Sequence, residues 1–527
     1  MPAMTDDLLR KPMTLAAIDM GSNSFRMELA ELRQGRYKRV AYLKETVRLG
    51  SGLDAAGRLS DVAAARGLDC LGRFAQRIAG FDAQCVRAVA TQTLREASNR
   101  DAFLAKAQAV LGFPIEVISG REEARLIYAG VSFLQPSDEP RLVVDIGGRS
   151  TELIVGLGRD AWAAESFQVG SVSLSLRWFA DGKFTPQAFR DAQVAAGAEL
   201  EEALDTFSPD RWRTAMGSSG TAGAVSELLA ASGITDGSIT PEGLRWCIAQ
   251  CLKAGNTQRL MLPTLREDRK AIIGGGLALL YTVMTHFGIG VMLPAKGALR
   301  QGVVVELSER LGSRRRGEAN SDLRDETVAE LQSRFDADTA QAARVRGIAL
   351  RLFSAAVPEA DDDALRELGW ACDVHEIGLT VSHHDHHRHS AYLMAHADAP
   401  GFSQNQQRRI ANLVLGQRGG LRKLEPALAE PPFAWQVLAL RLAVVKCHAR
   451  SETDPKALRL KRNGQEAWLS VSDSWVASHP RTLHLLREES ARWTERGSER
   501  QDPEHPGRLR LHLPRQLAGQ APGQGPG

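Results

Sequence analysis

The sequence predicts an α/β protein built as two related halves, followed by an all-helical domain and a small α+β domain. Three observations carry that expectation. Residues 142–153 form an apolar run around Asp145, a turn Gly147-Gly148-Arg149-Ser150, and a second strand-like run; residues 15–25 echo the pattern with Asp19 and the turn Gly21-Ser22-Asn23-Ser24. Each reads as a β-hairpin with small residues at its bend. After each hairpin, short apolar runs alternate with helical patterns, the mark of a sheet covered by helices. Beyond Thr327 amphipathic helices follow one another to about Arg450.

The elements follow in order. Residues 39–49 continue the first hairpin as a further strand, and 59–81 carry apolar residues at helical spacing behind Ser60-Asp61, a capping start. A short buried strand at 86–90, a helix at 99–111, a strand at 115–118 and a helix at 122–133 complete the first half. The polar, proline-bounded turn 135–140 places the boundary between halves near residue 136. The second half, 137–310, has strands at 142–145 and 152–156, a strand or loop at 165–170 and a helix at 186–207. The turn 217–221 then opens another helix, and a helix at 271–287 and the run 290–307 follow. The charged, apolar-poor stretch 313–322 reads as an interdomain linker. Helices at 339–353, 364–378, 404–416 and 435–450 then make a third domain, 311–450. Segments 467–471, 482–494 and 509–513 suggest the small fourth domain, 451–527, whose end from Gly519 is too poor in apolar residues to fold.

At 527 residues the chain exceeds what one hydrophobic core serves, which agrees with several domains. Apolar content of 43% and charged content of 24% are ordinary for a soluble protein, and a net charge of +3 gives no reason to expect DNA or RNA as a partner. Six cysteines without a C-x-x-C pair suggest neither a zinc ribbon nor a disulfide framework, which fits a reducing compartment. The longest apolar stretch, 271–284, is broken by Gly274-Gly275-Gly276 and is too short for a bilayer, so a cytoplasmic location is expected.

A turn of glycines and hydroxyls lets backbone N–H groups approach phosphate oxygens, because no Cβ blocks the way, and an aspartate at the strand end can hold a divalent cation. Two such turns facing one cleft would clamp a phosphate chain. Hydrolysis of a phosphoanhydride also needs a group that deprotonates or orients water. Glu122 and Glu123 are the candidates, and since neighbours on a helix point about 100° apart, at most one of them can face a cleft. Both also suit the first turn of a helix as partners of its dipole.

Five ordered motifs, residues 19–25, 90–97, 118–126, 145–152 and 217–221, together resemble the exopolyphosphatase and guanosine-pentaphosphate phosphatase (Ppx/GppA) family. The resemblance implies two actin/Hsc70/sugar-kinase-like (ribonuclease H-like) halves, and an HD-like helical domain after them. It implies Glu123 as catalytic base, Asp145 and Glu152 around a divalent cation, Mg2+, and Asp19 as a contributor through water or as a turn-stabilising side chain. It also implies a phosphate cradle of Ser22, Asn23, Ser24, Arg95, Gly147, Gly148, Ser150, Thr151, Gly220, Thr221 and Arg269. The expected activity is release of terminal orthophosphate from inorganic polyphosphate by a homodimeric phosphoanhydride hydrolase. The alternatives are a guanosine pentaphosphate 5′-phosphatase and a non-catalytic polyphosphate or alarmone binder.

Two motifs depart from the family pattern. D-I-G-G-G-S-T stands here with Arg149 in place of the third glycine, and D-G-A-L-R-E-G stands as Lys296-Gly297-Ala298-Leu299-Arg300-Gln301-Gly302. Both changes are expected to make the cleft more cationic, with Arg149 either pointing away or adding a phosphate contact. The cluster from His375 to His389 resembles an HD metal site only in part: the tandem is His375-Glu376, and Gln341 occupies the region of the upstream histidine. A basic surface that guides polyphosphate is the expectation there, ahead of a second metal centre.

Overall fold

Asp19 and Asp145 lie near the ends of strands buried on both faces, at the same point of two sheets with one plan. The computed structural model describes residues 13–33, 35–316, 322–451, 454–464, 466–493 and 508–513. β1 (Thr14–Met20) is antiparallel to β2 (Ser24–Arg33), which pairs with β3 (Arg36–Thr46). On its other side β1 is parallel to β4 (Val86–Ala90), and β4 to β5 (Ile115–Val117). The second sheet repeats this with β6 (Arg141–Ile146), β7 (Thr151–Leu157), β8 (Asp160–Phe167), β9 (Thr214–Ser218) and β10 (Met292–Pro294). The strand orders are β3-β2-β1-β4-β5 and β10-β9-β6-β7-β8, the same arrangement strand for strand. The segment 165–170, left open between strand and loop, falls partly in β8.

In β1, Ala16, Ile18 and Met20 enter the core of the first half, while Leu15 and Ala17 face a core common to both halves. In β6, Leu142, Val144 and Ile146 enter the core of the second half and Val143 the common core. Burial on both faces is why these strands read as near-continuous apolar runs. The common core is filled by the helices Gly120–Leu134 and Leu299–Arg316. They meet at glycines: a Cβ on Gly302 would stand 1.7 Å from the Leu126 carbonyl oxygen, and one on Gly130 2.4 Å from that of Ala298. The buried Glu306 carboxylate accepts from Arg87 on β4, from Arg125 and from Arg310, which locks the second helix onto the first half.

The helix Leu299–Arg316 continues through Arg314–Arg316, so the first part of the predicted linker is helical. Residues 317–321 and the glycine-rich end from Gly519 lie outside the described residues. The chain divides into two compact units at Asp322/Leu323. In the second unit the helices Thr339–Ala356, Asp362–Asp373, Gln404–Gly416 and Pro431–Lys446 match the predicted ones with shifted ends. The last of them begins at prolines, which suit a first turn because their missing N–H has no partner to lose there. β11 (Leu458–Asn463), β12 (Glu466–Val471) and β13 (Arg508–His512) form a small antiparallel sheet beside the helix Pro480–Trp493. Leu460, Leu469 and Leu511 share one core with Val345, Phe353 and Leu442, so helices and sheet make one packed body. Among the described residues no helix is long and apolar enough to cross a membrane.

Candidate active site

The two turns and the helix Gly120–Leu134 line a cleft of about 300 Å³ in the first unit. Ser119 caps that helix, its hydroxyl accepting from the Glu122 N–H at 3.1 Å, and this fixes which glutamate faces which way. Glu122 turns into the protein, where Arg125 grips both its oxygens at 2.8 Å. Glu123 faces the cleft, with Arg95 Nη1 donating to its Oε2 at 2.8 Å. Burial raises the Glu123 carboxyl to about 7, Asp19 and Asp145 add to the rise, and Arg95 opposes it. A carboxylate poised near neutrality is suited to take a proton from water.

Asp145 and Glu152 face each other across the second hairpin, as β6–β7 register pairs. Burial pushes Asp145 up to about 6, with Ser218 hydrogen-bonded to it, and pushes Glu152 well above the usual range, with Glu123 and Asp145 reinforcing the rise. Ser166 Oγ donates to Glu152 Oε1 at 2.8 Å. Such carboxylates are short of positive charge. Among the described residues no three His, Cys, Asp or Glu side chains form a metal site by themselves. An oxygen-only pair still fits Mg2+, which keeps several waters and binds one or two carboxylates plus substrate phosphates. Asp19 is less available, since Arg26 and Arg300 both reach its Oδ2 at 3.4 Å.

The cleft lining also carries cations. Asp19 pairs in register with Arg26 and Arg26 with Lys44, so one row across β1, β2 and β3 reads acid, base, base. Arg269 approaches the same point from the second half: burial and then the charges of Arg269 and Arg26 hold Lys44 down to about 8. Arg269 is likewise lowered, first by burial and then by Arg26. A Cβ on Gly220 would stand 2.2 Å from Arg269 Nη2, so a side chain there would push the guanidinium aside. Ser219 takes a left-handed conformation at φ 82° to start the helix Ser219–Ala231 behind the cleft. The Ser24 hydroxyl and the Arg26 Nε are buried without a hydrogen-bond partner, and both residues line the cleft.

The structure therefore brings together Asp19, Ser22, Asn23, Ser24, Glu123, Asp145, Gly147, Gly148, Ser150, Glu152, Gly220, Thr221 and Arg269 around one cavity. It leaves two predicted phosphate ligands outside. Thr151 is wholly buried and its hydroxyl donates to the Val169 carbonyl at 2.6 Å. Arg95 does not line the cleft; its guanidinium is divided among Glu123, Gln92 and the Ile118 carbonyl. Arg26, Lys44 and Arg300 were missed as site residues, although a hairpin turning at 21–23 already puts Arg26 opposite Asp19.

The expectation that the motif departures make the cleft more cationic is overturned. Arg149 points away and pairs with Glu96 Oε2 at 2.7 Å. Lys296 is exposed and absent from the lining. Gln301 is buried, donating to Glu28 Oε2 at 2.7 Å; a carboxylate there would repel Glu28, which already accepts from Tyr37.

The histidine cluster in the second unit carries less charge than expected. His386 and His387 are buried and pushed down to about 4, so both are neutral at pH 7. His375 is buried with Nδ1 at 2.6 Å from the Cys372 carbonyl, Glu376 pairs with Arg450, and Gln341 donates to the Cys447 carbonyl. The positive charge of that surface comes instead from exposed Arg388, Arg418, Arg422 and Lys423.

Residues 29–311 match the Ppx/GppA phosphatase family and residues 323–490 its domain III. A protein of Photobacterium profundum named guanosine-5′-triphosphate,3′-diphosphate pyrophosphatase is 35% identical over 486 residues, 92% of this chain and 96% of that one. The crystal structure of an exopolyphosphatase-like protein superposes with a TM-score of 0.52 at 27% identity, covering 57% of this chain and 99% of the other. That of an exopolyphosphatase from Cytophaga hutchinsonii ATCC 33406 shares the fold with a TM-score of 0.50 at 24% identity, over 58% of this chain and 98% of its own. With both family segments matched in order along the chain and the two-sheet fold shared, the protein belongs to the Ppx/GppA phosphatase family.

Proposed function

We propose that the protein hydrolyses the terminal phosphoanhydride of inorganic polyphosphate with the help of Mg2+, releasing orthophosphate. The observation that supports this reading most is the charge layout of the cleft. Glu123, Glu152 and Asp145 line the cleft together with Arg26, Lys44 and Arg269, and the last three crowd closely enough to act on one another, with Lys44 and Arg269 making no ion pair among the described residues. Arg26 has Asp19 beside it, but among the described residues Lys44 and Arg269 have no paired carboxylate, and a phosphate chain would supply the missing negative charge. The terminal phosphate would lie against the turns of Ser22–Ser24 and Gly147–Ser150, with the rest of the chain running towards the cations. Glu123 takes a proton from water, the water oxygen bonds to the terminal phosphorus, and the bridging P–O bond breaks with its electron pair staying on the departing chain. Mg2+ held at Asp145 and Glu152 would neutralise charge on the phosphate oxygens.

A second reading, hydrolysis of guanosine pentaphosphate, is supported by the name of the Photobacterium relative and by a neighbouring cavity of about 360 Å³. Leu176, Phe179, Val172 and Ile272 give that cavity apolar walls, and it meets the cleft at Ser22 and Asn23. Phosphate release measured in parallel on long polyphosphate and on guanosine pentaphosphate, with and without Mg2+, separates the two. The expected result is Mg2+-dependent release with the higher kcat/KM on polyphosphate. A higher value on the nucleotide selects the second reading, and none on either rejects both.

Mg2+ should also be visible in stability. Asp145 and Glu152 have raised values in the folded chain, so the folded state keeps protons that the unfolded chain gives up; Asp145 costs stability as pH rises through about 6, and Glu152 as pH rises above the ordinary carboxylate range. Mg2+ binds the ionised forms and must displace those protons at low pH. The rise in Tm on adding Mg2+ should therefore be larger at about pH 8 than at about pH 5.5. An equal rise at both would remove this pair as the cation site.

A further inference from the structure

Arg149 replaces a glycine in the very turn that faces the cleft, yet its side chain leaves the site. It crosses to the first half, where Nη2 and Nε reach Glu96 Oε2 at 2.7 and 3.2 Å. The other oxygen of Glu96, Oε1, accepts from the Gln92 amide nitrogen. That bond decides how the Gln92 amide is turned: with its nitrogen on Glu96, its oxygen must face Arg95, which donates to it through Nε at 3.0 Å and Nη2 at 2.6 Å. Gripped on that edge, the guanidinium presents Nη1 to Glu123 Oε2 at 2.8 Å. Arg149, Glu96, Gln92, Arg95 and Glu123 thus form one unbroken hydrogen-bonded chain from the phosphate-facing turn of the second half to the base in the first.

We propose that Arg149 is a positioning residue that orients Glu123 through Glu96, Gln92 and Arg95, and so ties the base to the turn that holds the phosphate. The inference rests on the reading of Glu123 as the base. Each link has a directional reason. A carboxylate accepts on both oxygens, an amide has one donor side and one acceptor side, and a planar guanidinium has fixed edges, so fixing one member fixes the next. Without Arg149, Glu96 can turn to solvent, since its side chain is already 27% exposed. The Gln92 amide is then free to rotate, and Arg95 keeps only the Ile118 carbonyl, shared on Nη1, to hold it beside Glu123. Because Arg149 lies outside the cleft lining, its loss should alter the chemical step more than binding. The backbone has no need of the arginine or of a glycine, as residue 149 is not in the left-handed region.

The test is steady-state kinetics on tripolyphosphate with Mg2+ for full-length R149G, E96Q, the double variant and R149K, beside E123Q. R149G should lower kcat about tenfold with KM within about twofold, since misplacing a reacting group is felt in the turnover step. E96Q should do the same, the double variant should be no worse than the weaker single one, and R149K should recover part of the loss. Additive losses, or a change confined to KM, would show a merely local contact and overturn the proposal. Parental kcat in R149G beside an inactive E123Q would overturn it alone, while full activity in E123Q would remove the base and this inference together.

Discussion

Glu123→Gln should lower turnover by about 10² to 10⁴, because only the proton-accepting group is lost. The amide keeps an oxygen that can accept from Arg95 Nη1, so the local geometry has no reason to collapse. Substrate binding should survive, since the phosphate-facing turns and the cations at Arg26, Lys44 and Arg269 are untouched. The parent's activity should rise with pH through about 7, the region to which burial lifts Glu123, and the residual activity of the variant should lose that limb. Stability gives an independent check with a worked sign. A carboxyl raised in the folded state favours folding less and less as pH climbs from its ordinary value to its folded one. At about pH 8 both states are ionised and the buried charge is a cost, so the variant should melt no lower than the parent. Single-turnover phosphate release, a pH profile and a melting curve decide the matter. Parental turnover at every pH would show that another group is the base.

Gly302→Ala should be the most damaging single methyl in the first unit. Its Cβ would stand 1.7 Å from the Leu126 carbonyl oxygen and 3.2 Å from the Gly130 N–H nitrogen, backbone atoms that no rotamer change can move aside. The helices Gly120–Leu134 and Leu299–Arg316 would have to separate. Overpacking a close contact costs about 1–3 kcal/mol and occasionally more, and a clash with backbone belongs at the upper end. The damage would not stay local, because one helix carries Glu123 and the other carries Arg300, whose Nη1 reaches Asp19. The separation also strains the grip of Glu306 on Arg87 and Arg125. Chemical denaturation should show a lower midpoint, and activity should fall even well below that midpoint. A variant of parental stability and activity would mean that the two helices do not need this approach.

The hairpins, the alternation and the helical second unit were legible because strands buried on both faces and amphipathic helices impose periodic patterns on neighbouring residues. The same is true of the aspartate positions, since a strand end followed by small residues is a local signal. Residue type could not say which of Glu122 and Glu123 faces the cleft. Ser119 as the cap and Arg125 as the partner of Glu122 settle it.

What the sequence by itself determined is the set of elements, the repeat, and the motifs that carry the two cleft-lining turns and the paired carboxylates. Only the tertiary structure decided the electrostatics. Glu96 and Arg149 are 53 residues apart, and Arg26, Lys44 and Arg269 come from two strands of one half and a short helix of the other. A side chain's charge, exposure and partner depend on what the fold packs against it. Thus an arginine at 149 that looked like added charge in the cleft became a strut to Glu96, and histidines that looked basic were buried neutral. The physical reason is that local sequence fixes backbone preference over a few residues, whereas desolvation and Coulomb interactions act between groups that only the folded chain brings within a few ångströms.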